Sequence, residues 1–364
     1  MTRTRKPAEP TLAESLVREA LPPCKYFLST GCDLLDLAVS DRLPGGVGSG
    51  RVTQIIGDNS TAKSVLLQEI LGSAQRQGGY ACEEEAEFTP NFQRAELFGL
   101  DVGRWKDELF DTNNTIDEAM RKCGGQYVYR NPKSIEDFFD NEMGGVFNNN
   151  VTDNLSPLVF GVDTFTALPS NAELEREIAE KSYNMERAKS MSAGFRKWIR
   201  RMGMANVTII AVDHIRSSMN AGFGKKWTTS GGLAMQQYSS TRIFLKHVET
   251  LKNSHDVKIG VKIHFKIVKN KLAPPFREGH FFVMFDFGLD NVRSNLEWLL
   301  SQKIENKLTK EKNTMYWNSS KVGAGIDKLI RYIENENLEN ELSSEVERVW
   351  RIMHQTDERK KRVR

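Results

Sequence analysis

The residues best suited to chemistry lie between Val52 and Leu67, in the sequence VTQIIGDNSTAKSVLL. A short apolar run leads into a polar turn, then Lys63 and Ser64, and then apolar residues at helical spacing. This order predicts a strand, a tight loop and a helix. In that arrangement backbone N–H groups surround nucleotide phosphates, the lysine reaches their oxygens and the hydroxyl binds Mg²⁺. The predicted nucleotide-binding residues here are Gly57, Asp58, Asn59, Ser60, Thr61, Ala62, Lys63, Ser64 and Val65.

Ala62 departs from the pattern G-x-x-x-x-G-K-[ST], which has a second glycine at this position. The Cβ of alanine raises the energy of a positive φ, which glycine adopts freely. The alternative interpretation is therefore an ordinary polar loop between a strand and a helix, with a solvated lysine. Residues further along the chain decide between the two.

Acidic residues follow two later predicted strands. Four of the five residues from 83 to 87 are glutamates, a composition that usually marks a solvated surface, yet they stand where a second strand should end beside the loop. Asp163 ends a buried-type strand that begins near Pro157. An acid in that position is expected to hold Mg²⁺ and its waters, whereas the alternative for a lone Asp is a helix cap. The loop that precedes it favours the metal.

Composition bounds the class of protein. The chain has 364 residues, of which 39% are hydrophobic and 27% charged, as in globular proteins with one large domain and a smaller one. The net charge of +3 means that any nucleic-acid binding must come from local clusters of basic residues. The four cysteines lack metal-site spacing and are interpreted as reduced thiols. No signal sequence or run of about 18 apolar residues is present, so we expect a non-secreted protein without a membrane partner.

The order of elements predicts an α/β fold. Helical patterns cover residues 65–77 and 183–202, and strand patterns occur at 52–56, 157–163, 207–212, 241–248, 257–268 and 281–285. Residues 102–150 are expected to alternate polar helices with loops. Alternating strands and helices favour a largely parallel sheet with added antiparallel strands. From residue 295 the chain turns helical and charged, with Trp298, Trp317 and Trp350 as expected core residues.

Several motifs in collinear order, from about residue 26 to 353, resemble the RecA-type DNA recombinases of bacteria and phages. They are STGCDLLDLA with PGGVGSGRVTQIIG, AEFTPNFQRAELFGLD, VFGVDTFTALPSNAELEREI, IIAVDHIRSSMNAGFGKKWTTSGG, IVKNKLAPPF and MYWNSSKVGAGIDKLIRYIENE. The resemblance implies a P-loop NTPase of the RecA-like type, with a mixed, mostly parallel sheet flanked by helices. It also implies a short N-terminal helix and a small α/β C-terminal domain.

The resemblance divides the chain into four parts. Residues 1–27 would form an N-terminal arm that docks on a neighbouring subunit, and residues 28–292 the RecA-like ATPase core. Residues 293–355 would form the small C-terminal domain, and residues 356–364 a flexible basic tail.

The resemblance also assigns roles at an ATP site. Glu87 would orient or deprotonate the attacking water, and His214 would sense the γ-phosphate. Ser64 and Asp163 would hold Mg²⁺, and Phe92 would stack on adenine. The implied catalytic residues are Glu87, Lys63, His214, Lys269 and Lys271, of which the last two would reach the ATP of the neighbouring subunit. Without the resemblance, those two lysines would be interpreted as a solvated strand end.

Two loops are implied to bind DNA, at about residues 171–182 and 216–230. The second would otherwise be interpreted as a mobile, glycine-rich surface loop. The implied DNA-binding residues are Arg176, Lys181, Arg196, Arg216, Ser217, Met219, Phe223, Gly224, Lys225, Lys226, Gly231 and Gly232. Lysine and arginine would attract phosphates, and Met219 or Phe223 would insert between bases.

The implied function is a DNA-dependent ATPase that forms helical filaments on single-stranded DNA and catalyses homologous pairing and strand exchange. Its cofactors would be ATP and Mg²⁺. Its partners would be single- and double-stranded DNA, further copies of the chain, and single-strand-binding and mediator proteins. Its location would be the cytoplasm of a bacterium or of a phage-infected cell. The alternatives are a RecA-fold DNA motor that forms a helicase-like ring, and a nucleotide-binding filament protein whose turnover Ala62 has weakened.

Overall fold

The computed structural model describes residues 24–86, 92–97, 99–102, 127–148, 157–175, 185–217, 227–229 and 232–354. The strands are β1 Phe27–Leu28, β2 Val47–Gly48, β3 Val52–Gly57, β4 Tyr80–Glu85, β5 Tyr127–Arg130, β6 Leu158–Asp163, β7 Val207–Ser217, β8 Trp227–Thr229, β9 Thr241–Lys252, β10 Lys258–Lys269, β11 Glu278–Met284, β12 Gly288–Asp290, β13 Leu308–Glu311, β14 Thr314–Trp317 and β15 Ser320–Ala324. The helices are α1 Asp33–Ser40, α2 Lys63–Arg76, α3 Phe92–Leu97, α4 Ile135–Asp137, a π-helical turn Phe138–Glu142, α5 Met143–Asn148, α6 Asn171–Leu174, α7 Met185–Ala205, α8 Gly232–Tyr238, α9 Asn291–Ser301, α10 Ile326–Asn335 and α11 Glu339–His354.

One large mixed sheet organises the described residues. Its strand order is β12-β11-β10-β9-β3-β7-β6-β4-β5, and β8 pairs with β7 as a side branch. The six strands from β9 to β5 run parallel, whereas β10, β11 and β12 extend the sheet in antiparallel pairings. The predicted α/β class with a mostly parallel sheet is therefore confirmed.

Both faces of the sheet are covered, as parallel strands require. Along β7 the buried side chains alternate, because successive residues of a strand point to opposite faces. Ile210 and Val212 pack with α1 and α2, while Ile209 packs with the aromatic residues under α7. On that second face Gly194 lets α7 approach closely, since a Cβ there would lie 2.2 Å from the ring of Phe139.

For residues 102–150 the sequence predicts polar helices alternating with loops. This prediction is wrong for the part of the segment that the structure describes. Residues 127–130 form β5, which is buried along its whole length and pairs with β4 at the edge of the sheet. The following helical segments bury Phe138, Phe139 and Phe147 instead of lying on the surface. The strand is only four residues long, so its alternation is too short to register as a pattern.

After the large sheet, β13, β14 and β15 form a small antiparallel sheet beside α9, α10 and α11. Trp317 and Trp350 are buried, and Trp298 is partly buried against the same apolar cluster. Asp33 at the start of α1 accepts hydrogen bonds from Asn295 Nδ2 at 2.7 Å and from Ser343 Oγ at 2.6 Å. These bonds tie α1 to α9 and α11. The four-part division of the chain stays a prediction.

The predicted N-terminal arm, except for its last residues, and the basic tail lie outside the described residues. In the described part of the chain, no helix is long and apolar enough to cross a membrane.

Candidate nucleotide-binding site

The phosphate-binding loop lies where β3 ends, at the carboxyl edge of the parallel strands, which is where α/β sheets bind ligands. Gly57 is the last residue of β3, and a Cβ on it would lie 2.5 Å from Thr61 Oγ1 and 2.9 Å from the carbonyl oxygen of Leu245. Ala62 has φ 63° and ψ 26°, so it adopts the left-handed conformation that favours glycine. The loop therefore has the left-handed turn that the motif normally makes at glycine, although alanine occupies this position.

Hydrogen bonds to one residue close the loop. The carbonyl oxygen of Asp58 accepts from Thr61 Oγ1 at 2.8 Å and from Lys63 Nζ at 2.7 Å. The Asp58 carboxylate accepts from the backbone N–H of Asn59 at 2.8 Å. Lys63 is thus folded back over the loop. The sequence predicts that phosphate binds in the centre of this loop, next to the lysine.

We expect Ala62→Gly to raise the free energy of unfolding by about 1 kcal/mol. A left-handed alanine costs roughly 1–2 kcal/mol, and the extra freedom of glycine in the unfolded chain offsets part of that gain. Urea denaturation measures the change. Ala193→Gly is the matched control, because Ala193 is an exposed residue of α7 and the same replacement there should lower stability by about 1 kcal/mol. Destabilisation by both replacements would contradict strain at Ala62.

A hydroxyl and a carboxylate meet beside the loop. Ser64 Oγ donates a hydrogen bond to Asp163 Oδ2 at 2.7 Å, although the two residues are 99 positions apart. Asp163 ends β6, and the hydroxyl is on the first turn of α2. Oxygen donors of this kind fit Mg²⁺, which keeps several waters and takes few protein ligands. Consistent with so small a donor set, the described residues contain no group of three or more His, Cys, Asp or Glu side chains that could hold a metal ion alone.

These residues surround a cavity of about 490 Å³. His214, which pairs with Gly57 across the β3–β7 ladder, lines it from one side. Phe92 on α3 and Phe285 after β11 are apolar aromatic residues of the wall. The remaining lining residues are Asn59, Ser60, Thr61, Ala62, Lys63, Ser64, Val65, Gln68, Glu83, Glu85, Ala95, Tyr127, Tyr129, Asp163, Val261 and Val283. The cavity thus combines aromatic surface with a phosphate-binding loop.

The glutamates at positions 83 to 85 are buried, although a run of glutamates usually marks a solvated surface. Glu83, Glu84 and Glu85 are all buried in β4. Glu83 accepts a hydrogen bond from Tyr127 Oη at 2.6 Å, and Glu85 accepts one from Tyr129 Oη. Burial is the main cause that raises the pKa of Glu83 to about 7; the hydrogen bond from Tyr127 opposes this rise, and the nearby carboxylates of Asp163 and Glu85 add to it.

We expect Glu83→Gln to stabilise the protein progressively, relative to wild type, as the pH rises. Because the pKa of Glu83 is raised on folding, its favourable contribution is complete below about pH 4.5 and is lost as the pH rises towards 7. Glutamine mimics the protonated acid, so the difference in unfolding free energy should grow by roughly 2–3 kcal/mol between pH 5 and pH 8. Urea denaturation at several pH values measures it, and Glu336→Gln, at an exposed carboxylate, controls for net charge. A pH-independent difference would contradict the raised pKa.

Lys269 and Lys271, the two lysines of the sequence KNK, do not line this cavity. Lys269 ends β10, and its Nζ donates to the carbonyl oxygens of Gln236 at 2.6 Å and Gln237 at 3.0 Å. Lys271 is exposed, and neither lysine lines the cavity of its own chain. Their predicted role at the site of a neighbouring subunit remains a prediction.

Most of the predicted DNA-binding residues and Glu87 lie outside the described residues. The exceptions are Arg196, which is exposed on α7, and the backbone of Arg216, Ser217 and Gly232. Arg216 and Ser217 belong to β7, whose end pairs with β8 in an antiparallel hairpin. Gly232 begins α8. Part of the segment predicted as an unstructured loop is therefore strand and helix, because the hairpin extends β7 beyond its apolar core residues. The residues outside the description are Glu87, Arg176, Lys181, Met219, Phe223, Gly224, Lys225, Lys226 and Gly231.

Several cavity residues were missed from the sequence. Tyr127 and Tyr129 lie on the short strand β5, and nothing local in the sequence links them to glutamates 44 positions earlier. Phe285 was assigned only to the end of a strand, and its position beside the loop depends on the pairing of β11 with β10.

The parallel sheet, the loop after β3, and the paired Ser64 and Asp163 define a P-loop nucleotide-binding α/β protein. The family model of the RecA N-terminal domain matches residues 149–290. Protein RecA of Chlamydia trachomatis serovar L2 is 28% identical over 321 residues, which cover 88% of this chain and 81% of the relative. Protein RecA of Leptospira biflexa is 27% identical over the same share of this chain and 73% of its own length. Over most of its length the chain is therefore similar to RecA proteins, and this similarity supports a RecA-family recombinase.

The similarity to these relatives supports a RecA-type recombinase. The matched segment 149–290 contains Asp163, His214, Lys269 and Lys271, while the phosphate-binding loop precedes it and is covered by the alignment with the relatives.

Proposed function

We propose that this protein is a DNA-dependent ATPase that forms filaments on single-stranded DNA and catalyses homologous pairing and strand exchange. The observation that carries the proposal is the convergence of Lys63, Ser64, Asp163 and His214 on one cavity at the carboxyl edge of the sheet. Residues from α2, β6 and β7 meet there, which supports nucleotide binding at this edge of the sheet.

At this site we assign ATP to the cavity, with its phosphates on residues 57–65 and its base against Phe92. Lys63 exchanges its bond to the Asp58 carbonyl for phosphate oxygens. Ser64 and Asp163 hold the metal and its waters, and bound Mg²⁺ supplies charge neutralisation between the phosphates. Glu87 positions the attacking water, and His214 donates a hydrogen bond towards the terminal phosphate.

We place the remaining charge stabilisation in trans. In this arrangement Lys269 and Lys271 leave their own chain and reach the phosphates of the adjacent subunit, so that hydrolysis needs a filament. Within its own chain Lys269 is bonded to the end of α8, so reaching an adjacent subunit would break these bonds. DNA binds to Arg196 and to the segments around residues 171–182 and 216–232.

The experiment that tests the proposal is ATP hydrolysis with and without single-stranded DNA, combined with electron microscopy of the complexes. We expect stimulation by DNA of about a hundredfold or more, helical filaments and exchange of strands between homologous molecules. Stimulation together with closed rings and no strand exchange would instead identify a helicase-like motor. ATP binding without turnover would identify the non-hydrolysing filament protein.

A further inference from the structure

A line of four polar side chains, three of them buried, crosses four neighbouring strands next to the cavity. Asp213 is on β7, Gln54 on β3, Arg242 on β9 and Lys269 on β10. Gln54 pairs in register with Arg242, and Arg242 pairs with Lys269. Asp213 and Gln54 are fully buried, and Arg242 is 7% exposed.

The amide of Gln54 connects two opposite charges. Its Nε2 donates a hydrogen bond to Asp213 Oδ2, and its Oε1 accepts one from Arg242 Nε at 2.6 Å. An acid on one side and a base on the other fix the direction of the amide, since its two ends are a donor and an acceptor. The three side chains therefore form one directed connection from β7 to β9.

Burial makes this connection sensitive to the charges around it. The pKa of Asp213 is raised to about 7, chiefly by desolvation and also by the carboxylate of Asp163, against the opposing effects of the bond to Gln54 and the charges of Arg242 and Lys63. Desolvation also lowers the pKa of Arg242. Lys63 is the phosphate-binding lysine, so a change in its position alters the field at Asp213.

The two ends of the line reach different functional elements. Asp213 directly precedes His214, which lines the cavity. At the other end Lys269 caps the carboxyl end of α8, where a cation is favoured by the helix dipole. Helix α8 begins three residues after β8, the second strand of the hairpin that we assign to DNA.

The line also has unused hydrogen-bonding capacity. Asp213 Oδ1 and Arg242 Nη2 are buried and have no hydrogen-bond partner among the described residues. A buried donor or acceptor without a partner costs free energy, so an arrangement that satisfied both atoms would compete with this one.

We propose that Gln54, Asp213 and Arg242 are positioning residues that couple the nucleotide cavity to α8 and Lys269. Through them, the arrangement at His214 determines whether Lys269 stays on α8 or becomes available to a neighbouring subunit. This inference rests on the proposed function, because it assumes that DNA stimulates hydrolysis through Lys269.

The test breaks the hydrogen bond between residues 54 and 213 and then restores it with the donor and the acceptor exchanged. Gln54→Glu removes the donor to Asp213 and places a second acid beside it, so the link to β7 is broken while the bond to Arg242 remains. In Gln54→Glu/Asp213→Asn the new amide at position 213 donates to the new carboxylate, and the number of buried acids returns to that of the wild type. The readout is the ratio of hydrolysis with single-stranded DNA to hydrolysis without it.

We expect Gln54→Glu to lower this ratio about tenfold, within the range of ordinary coupling free energies, and the double variant to recover most of it. Hydrolysis without DNA and the affinity for ATP should change little in either variant. Arg242→Lys, which keeps the charge but loses the guanidinium geometry, should lower the ratio as well and serves if Gln54→Glu does not fold.

Asn295→Asp is the matched control, because Asn295 is a buried amide that donates to the Asp33 carboxylate, and neither residue lines the cavity. It should lower the melting temperature without changing the ratio. The inference is overturned if folded Gln54→Glu keeps the wild-type ratio, if the folded double variant does not recover, or if Asn295→Asp lowers the ratio equally. Failure of the proposed function itself would be visible in the wild type, as an absence of stimulation by DNA.

Discussion

Replacing Lys63 with alanine should reduce ATP hydrolysis by roughly 10²–10³-fold, with and without DNA. The ammonium group lies in the loop that we assign to the phosphates and is held at 2.7 Å from the Asp58 carbonyl oxygen. Losing one preorganised charge that stabilises a transition state typically costs a factor of this size. Phosphate release measured at saturating ATP gives the rate, and a binding titration gives the affinity.

Lys321→Ala provides the control for Lys63→Ala, since Lys321 is an exposed lysine of β15 in the C-terminal part of the chain. It should hydrolyse ATP as the wild type does. Circular dichroism should show that both variants are folded. Retention of DNA-stimulated hydrolysis by folded Lys63→Ala would rule out the assigned phosphate site.

The double replacement Lys269→Ala/Lys271→Ala should remove the stimulation by DNA while ATP still binds. Residues that neutralise transferring phosphates from a second protein surface contribute about 10³–10⁵ in rate, so we expect a loss of at least a hundredfold. Neither lysine lines the cavity of its own chain, so ATP affinity in the absence of DNA should stay near the wild-type value. Hydrolysis with and without single-stranded DNA measures the effect.

Mixing two inactive variants distinguishes a shared site from an effect within one chain. Lys63→Ala keeps both trans lysines, and Lys269→Ala/Lys271→Ala keeps its own phosphate-binding loop. A mixed filament would contain some interfaces with both halves intact, so activity should reappear on mixing if the lysines act between subunits. Lys252→Ala/Lys258→Ala is the control and should behave as wild type. These two exposed lysines lie where β9 and β10 are joined, at the opposite end of β10 from Lys269. No recovery on mixing would place the lysines' effect within one chain.

Much of the fold could be predicted because its signals are local. Apolar strands with β-branched residues mark the parallel sheet, and the helix after the phosphate loop ends where Gly78 adopts φ 75°. The edge strand β5 was missed because four residues carry too little periodicity. The loop residues, the acid at the end of β6 and the histidine at the cavity were found for the same local reason, since each directly follows a recognisable strand.

The sequence by itself determined the α/β class of the fold and the strands β3, β6, β7, β9, β10 and β11, and it singled out Asp163 and His214, while the phosphate-binding role of residues 57–65 stays a prediction. Only the tertiary structure decided that Glu83 and Glu85 are buried against Tyr127 and Tyr129, that Lys269 caps α8, and that Gln54 joins Asp213 to Arg242. The physical reason is that these contacts depend on which strands are neighbours in the sheet. A buried carboxylate is tolerated only beside a partner, and the partners here come from strands distant in the chain.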